Sequence, residues 1–103
     1  MKTGARVFKA LADPTRRQIL QELKARELSA GEITSRFSIS APSISRHLSI
    51  LAVADLISER REGNRIFYRL ESDSLATVLG DFLSAICPTQ MVQRRRLGRR
   101  RSA

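Results

Sequence analysis

A mainly helical fold carrying one β-hairpin is what this sequence predicts, and three observations predict it. Capping signals open helices at Asp13-Pro14, at Ser29 with Glu32, and at Ser40. Two strand-like segments flank the turn Glu62-Gly63-Asn64. A chain of 103 residues, 42% of them hydrophobic, builds one modest core and leaves no room for a second domain.

Val7, Phe8 and Leu11 recur at one-turn spacing and predict a short helix over about Ala5 to Ala12. Asp13 then caps a second helix with Pro14 at its first position, where the missing N–H costs nothing, and Ile19, Leu20 and Leu23 give it an apolar stripe as far as about Arg26. Ser29 and Glu32 form a capping-box pattern opening a third helix that buries Ile33 and Phe37. After the break Ser38-Ile39-Ser40, Ser40 caps a fourth helix with Pro42 in its first turn. There Ile44, Leu48 and Leu51 form a narrow buried stripe. Arg46 lies nearly opposite, with Ser43, Ser45, Ser49 and Ile50 around it.

Two short helices joined by a tight turn, the second with a small, hydroxylic and cationic outer face, have the geometry of a helix-turn-helix. Serines let a helix approach a groove closely, and Ser40, Ser43, Ser45 and Ser49 can bond phosphates or base edges. Arg46 suits either a bidentate bond to guanine or a phosphate pair. A merely solvated surface explains that helix face, taken alone, equally well. The next segments favour DNA, because Leu56–Arg61 and Arg65–Leu70 read as a hairpin with Arg60, Arg61 and Arg65 clustered near its tip. On the second strand Ile66, Tyr68 and Leu70 share one face, and Phe67 and Arg69 the other. A basic-tipped hairpin directly after such a helix reads as a DNA-binding wing, so the predicted architecture is a winged helix-turn-helix.

A last helix from Ser72 or Asp73 to Cys87, ended by Pro88, carries Leu75, Val78, Leu79, Phe82, Leu83 and Ile86, more apolar surface than a small domain needs. Either it caps its own core or, together with Val7, Phe8 and Leu11, it meets a second copy in a two-fold homodimer. The domain is expected over residues 1–88, with an Arg-rich, disordered tail over 89–103.

The formal net charge of +9 favours polyanions. Six arginines, Arg94, Arg95, Arg96, Arg99, Arg100 and Arg101, fall in the last ten residues, so the rest of the chain holds 13 basic against 10 acidic residues. The strong polyanion signal thus belongs to the tail. No apolar run approaches the ~18 residues that span a bilayer, and nothing reads as a signal sequence, so a cytoplasmic protein without bilayer insertion is expected. One cysteine excludes an internal disulfide, and one histidine with no phosphate-cradling glycine loop argues against an enzyme.

VFKALADPTRRQIL, SAGEITSRFSISAPSISRHLSIL and GNRIFYRL, in that order and spacing, resemble the ArsR/SmtB-type (arsenic-repressor) family, closest in pattern to its SdpR-like autorepressors. The resemblance covers roughly residues 5 to 87. It implies a winged-helix dimer built from the first and last helices, a recognition helix at about Ser40 to Val53, and a wing at Ile57 to Leu70. Carried over residue by residue, the recognition positions are Ser43, Ser45, Arg46, His47 and Ser49, with His47, at the edge between core and groove, either touching a phosphate or base edge or packing into the core. It also suggests a membrane-bound or other protein partner at the last helix. Asp55 stands where relatives often have glycine, and an aspartate tolerates the left-handed turn needed there.

The departures bear on function. Metal-sensing members place paired cysteines in the third helix, where this chain reads Glu27-Leu28-Ser29-Ala30-Gly31-Glu32, and from Ser72 to Pro88 only Asp73, Asp81 and Cys87 could ligate. No metal and no cofactor is expected. Cys87 reads as a semi-buried structural thiol, or as one half of a bridge between protomers. The functional expectation is a sequence-specific, double-stranded-DNA-binding repressor acting as a homodimer on an inverted repeat. The alternative is a nonspecific nucleic-acid-binding or architectural protein driven by the Arg-rich tail.

Overall fold

The computed structural model describes residues 2–88; the expected tail segment lies outside the described residues. In chain order the elements are α1 (Lys2–Leu11), α2 (Pro14–Ala25), β1 (Leu28–Ser29), α3 (Ala30–Ser35), α4 (Ala41–Val53), β2 (Ile57–Glu62), β3 (Arg65–Leu70) and α5 (Ser72–Ile86). The helix-turn-helix is α3–α4, and the wing is β2–β3.

The caps act as the residues require. Asp13 Oδ1 accepts from the backbone N–H of Thr15 (2.8 Å) and Arg16 (3.2 Å) and starts α2. Ser29 and Glu32 form the reciprocal capping box: Glu32 N–H donates to Ser29 Oγ at 3.1 Å, and Ser29 N–H donates to Glu32 Oε1 at 2.8 Å. Those contacts hold the Glu32 carboxyl below its ordinary range, the backbone donor of Ser29 being the main cause. Ser40 Oγ accepts from Ser43 N–H and starts α4. At the first helix the bounds move: α1 begins at Lys2, a turn earlier than expected, because Gly4 costs a helix only about 1 kcal/mol and does not break it.

Helix α4 ends in a Schellman motif. Leu56 N–H bonds to the Leu51 carbonyl and Asp55 N–H to that of Ala52, both at 3.0 Å, with Asp55 at φ 60°. Leu51 and Leu56 are both fully buried and supply the apolar contact that accompanies such an ending. A non-glycine residue in this conformation costs about 1–2 kcal/mol, partly offset by the ~0.4–1 kcal/mol by which glycine loosens the unfolded chain. Asp55→Gly is therefore expected to stabilise the fold by about 0.5–1 kcal/mol, read as a higher urea midpoint at unchanged slope. A lower midpoint would show that the Asp55 side chain itself supports the turn.

The sheet is antiparallel in the order β1-β3-β2. Strand β1 was not foreseen: Leu28 pairs with Tyr68 and Ser29 with Phe67, so the entry to α3 is stitched to the wing. The hairpin turn is also tighter than expected. Glu62 pairs with Arg65, leaving the two-residue loop Gly63-Asn64, in which Gly63 takes φ 63°, the first-position glycine of a type II′ turn.

One core joins α1 to α4, and α5 packs against it through the partly buried Leu75 and Val78. Val7 and Ala10 of α1, Ile19, Leu20 and Leu23 of α2, Ile33 of α3, and Ile44, Leu48 and Leu51 of α4 meet Leu28, Ala54, Leu56, Ile57 and Tyr68. Ile66 and Leu70 pack against it from the expected face of β3, and Phe37 is only partly buried. One expectation at the α1–α5 face changes. Val7 is fully buried within its own subunit, because α1 lays this residue onto the core, so it is not part of an exposed dimer surface. By contrast α5 has no buried residue at all.

Candidate nucleic-acid interface

Helix α4, the second helix of the helix-turn-helix, is anchored by Ile44, Leu48 and Leu51, so the positions between them are turned outward. Ser45, Arg46 and Ser49 are exposed, and Ser43 and His47 are half-buried at the margin. Arg46 makes no ion pair or side-chain hydrogen bond among the described residues, and its guanidinium is free for a ligand. Ser40 is engaged: its Oγ accepts the Ser43 N–H and donates to Ser43 Oγ at 3.0 Å. That arrangement leaves the Ser43 hydroxyl proton free to donate outward. At the far end of α4, Ser49, Ile50 and Val53 line a groove of about 260 Å³ with Arg6 and Lys9 of α1.

The three wing arginines do not form one cluster. Residues directly opposite on paired strands share a face; Arg60 stands opposite Phe67 and Glu62 opposite Arg65, whereas Arg61 stands opposite Ile66 on the other face. Arg60 is held by two carboxylates, Glu27 Oε1 at 2.6 Å and Glu62 Oε2 at 2.6 Å, and its guanidinium lies 4.6 Å from the Phe67 ring centroid. The hydrogen bond to Glu62, followed by that to Glu27, raises its already high pKa. Arg65 covers the same ring at 4.8 Å. Arg61 and Arg65 make no ion pair among the described residues, so the free charge of the wing is theirs.

One residue that patterning missed sits behind α4. Arg16 is only 9% exposed. Its Nε donates to the Ala10 carbonyl at 2.7 Å and its Nη2 to the Lys9 carbonyl at 3.0 Å, satisfying the end of α1, and its Nη1 lies 3.1 Å from His47 Nδ1. The signal was present, since positions 16, 19, 20 and 23 make one helical stripe.

A helix-turn-helix domain model matches residues 11–60. Over 78 residues the chain is 50% identical to the transcriptional repressor SdpR of Bacillus subtilis (strain 168), covering 76% of this chain and 82% of SdpR. The chain belongs to the ArsR family of helix-turn-helix transcriptional regulators. The fold agrees with solved ArsR-type structures. An ArsR-like transcriptional regulator from Rhodococcus sp. RHA1 superposes with a TM-score of 0.73 at 31% identity, covering 98% of this chain and 92% of that one. The homodimeric winged helix-turn-helix DNA-binding domain of Mb0332 from Mycobacterium bovis, a possible ArsR-family regulator, gives 0.68 at 32% identity, covering 82% of this chain and 79% of that one. ArsR-family members are DNA-binding regulators rather than enzymes.

Within this ArsR-family chain the second surface of interest is the α1–α5 face. Phe8 and Phe82 meet edge to face, with ring centroids 5.2 Å apart at 71°. Around them Leu83 and Ile86 are exposed, and Leu11, Leu75, Val78 and Leu79 are partly covered. Cys87 is a free, half-buried thiol at the end of α5. Among the described residues no three His, Cys, Asp or Glu side chains stand together as a metal site, and no helix is long and apolar enough to cross a membrane.

Proposed function

We propose that this chain is a sequence-specific transcriptional repressor that binds an inverted-repeat operator as a homodimer, with α4 in the major groove and the β2–β3 wing on the flanking backbone. The observation that carries this reading is the outward face of α4: a free Arg46 among small hydroxyl side chains, on a helix fixed by three buried residues. Arg46 reads a guanine edge or a phosphate, Ser43, Ser45 and Ser49 allow close approach, and His47 donates from the groove margin. Two-fold pairing through α1 and α5 sets the two recognition helices about 34 Å apart, one helical turn of DNA. The 50% identity to SdpR and the likeness to a homodimeric domain support repression and pairing. With no ligand cluster among the described residues and no cysteine pair at α3, repression here answers to something other than a metal held by in-chain thiolates.

The wing contributes through Arg61 and Arg65, whereas Arg60 acts inside the protein by tying the wing to Glu27 and Glu62. Arg61→Ala and Arg65→Ala are each expected to lower the slope of log K against log salt by about 0.9, the value of one lost phosphate contact. Arg60→Ala leaves that slope unchanged. A slope change at Arg60 equal to that at Arg61 would show that its carboxylates release it to DNA.

Selection from genomic fragments at ~150 mM salt, with the full chain and with a variant ending at Pro88, tests the reading as a whole. Both proteins are expected to recover the same inverted repeat, the shorter with weaker, less salt-dependent affinity. Recovery of unrelated fragments by the full chain, lost on removal of residues 89–103, would replace this reading with tail-driven nonspecific binding.

A further inference from the structure

The contact between Arg16 and His47 joins a buried cation to the recognition helix across 31 residues of sequence. A guanidinium carries only N–H donors and no acceptor, so the 3.1 Å contact from Arg16 Nη1 requires a lone pair on His47 Nδ1. The neutral ring then holds its single proton on Nε2. The direction of the bond is not adjustable from the Arg16 side, because its Nε and Nη2 are fixed on the Ala10 and Lys9 carbonyls at the end of α1. His47 Nε2 has no hydrogen-bond partner among the described residues, yet no sealed side-chain nitrogen or oxygen among them lacks one. Nε2 is therefore open at the surface of a half-buried ring, beside the exposed Arg46.

Resting on the DNA-binding reading above, we infer that Arg16 is a positioning residue. It selects the Nε2–H form of His47, so that the recognition helix presents a fixed N–H donor, and never an acceptor, to the DNA. The matching chemistry on DNA is an acceptor without a proton: purine N7, guanine O6 or a phosphate oxygen. A base-edge N–H, such as the amino groups of adenine and cytosine, finds no partner at this position. Arg16 thus contributes to specificity from behind the helix without touching nucleic acid.

Ring 15N correlation spectra of the full chain at about pH 8 test the first half. The expected result is one form, Nε2 protonated and Nδ1 bare, in the wild type, and shifts averaged between the two forms in Arg16→Met, which keeps the apolar stem and removes every donor. A ring protonated on Nδ1, an averaged wild-type spectrum, or a spectrum unchanged in a folded Arg16→Met overturns the inference. If Arg16→Met does not fold, the wild-type spectrum and two His47 variants decide. On the selected operator, His47→Asn, which reaches only as far as Nδ1, is expected to lose about tenfold in affinity, and His47→Gln, which restores a donor near Nε2, about threefold. Equal losses would contradict the assignment. Replacing purines one at a time with 7-deazapurines, which lack N7, and guanines with 2-aminopurine, which lacks O6, separates the two sources of acceptor: a single sensitive position, lost in His47→Asn, assigns a base edge, and no sensitive position together with a loss uniform across sequences assigns phosphate. Failure of the wild type to select any operator refutes the DNA-binding reading instead, and the ring spectrum still reports on Arg16 independently.

Discussion

Phe82→Asp is expected to leave the chain monomeric and to raise the operator dissociation constant at least about 1,000-fold, the span between specific and nonspecific binding. Helix α5 buries none of its residues within the subunit, although it carries Phe82, Leu83 and Ile86 at 46%, 43% and 63% exposure, and Phe8 of α1 adjoins them at 41%. In a two-fold interface each of these side chains is counted twice, and covering a large apolar side chain is worth about 1.5–3 kcal/mol. A carboxylate at position 82 removes that gain and places two unpaired charges near the symmetry axis. The fold itself should survive, since α5 meets the buried core through Leu75 and Val78 and not through Phe82. Sedimentation equilibrium, circular dichroism and gel shift on one sample separate the outcomes. A folded monomer with lost operator binding is the expected result, and a Phe82→Asp dimer with unchanged affinity would move the pairing surface elsewhere.

Leu51→Ala is expected to lower the unfolding free energy by about 2–5 kcal/mol, a large share of the ~5–15 kcal/mol of a typical domain. Leu51 is fully buried, and it lies in the last turns of α4 between Leu48 and Leu56. Its truncation leaves a cavity under the helix that carries Arg46, and the Schellman ending loses its apolar partner for Leu56. For a domain of this size the melting temperature should fall by at least about 10 °C. A loss below about 1 kcal/mol would mean that Leu56 and Tyr68 collapse into the space.

The caps were legible in the sequence because they are local. Asp13, the Ser29–Glu32 pair, Ser40 and the left-handed Asp55 all act within a few residues of themselves. The stripe of α4 and the inward face of β3 followed from periodicity alone. Features that depend on distant partners were not legible. Strand β1 is two residues long and is defined only by Tyr68 and Phe67, some 40 positions away. Arg60 looked like a free wing charge until Glu27, 33 residues back, was brought beside it. Arg60 and Arg61 take opposite faces in any register, but which of them shares a face with Arg65 depends on a register that a turn of three residues, rather than the observed two, would have shifted. Val7 shares a stripe with Leu11, but which side of α1 meets the subunit's own core is decided by α2 and α4. Arg16 lay on a readable stripe, yet its role needed the carbonyls of α1 and the ring of His47 in place.

In the proposed binding mode two copies of α4, held at fixed separation, read two half-sites together. Its most direct test is the affinity of the full chain for its selected operator with about 5 bp inserted between the half-sites, half a turn of the duplex. This insertion is expected to abolish specific binding, and insertion of about 10 bp, which restores the face but not the distance, is not expected to rescue it. Undiminished affinity with the half-turn insertion would contradict a rigid two-fold reader and leave each subunit binding on its own.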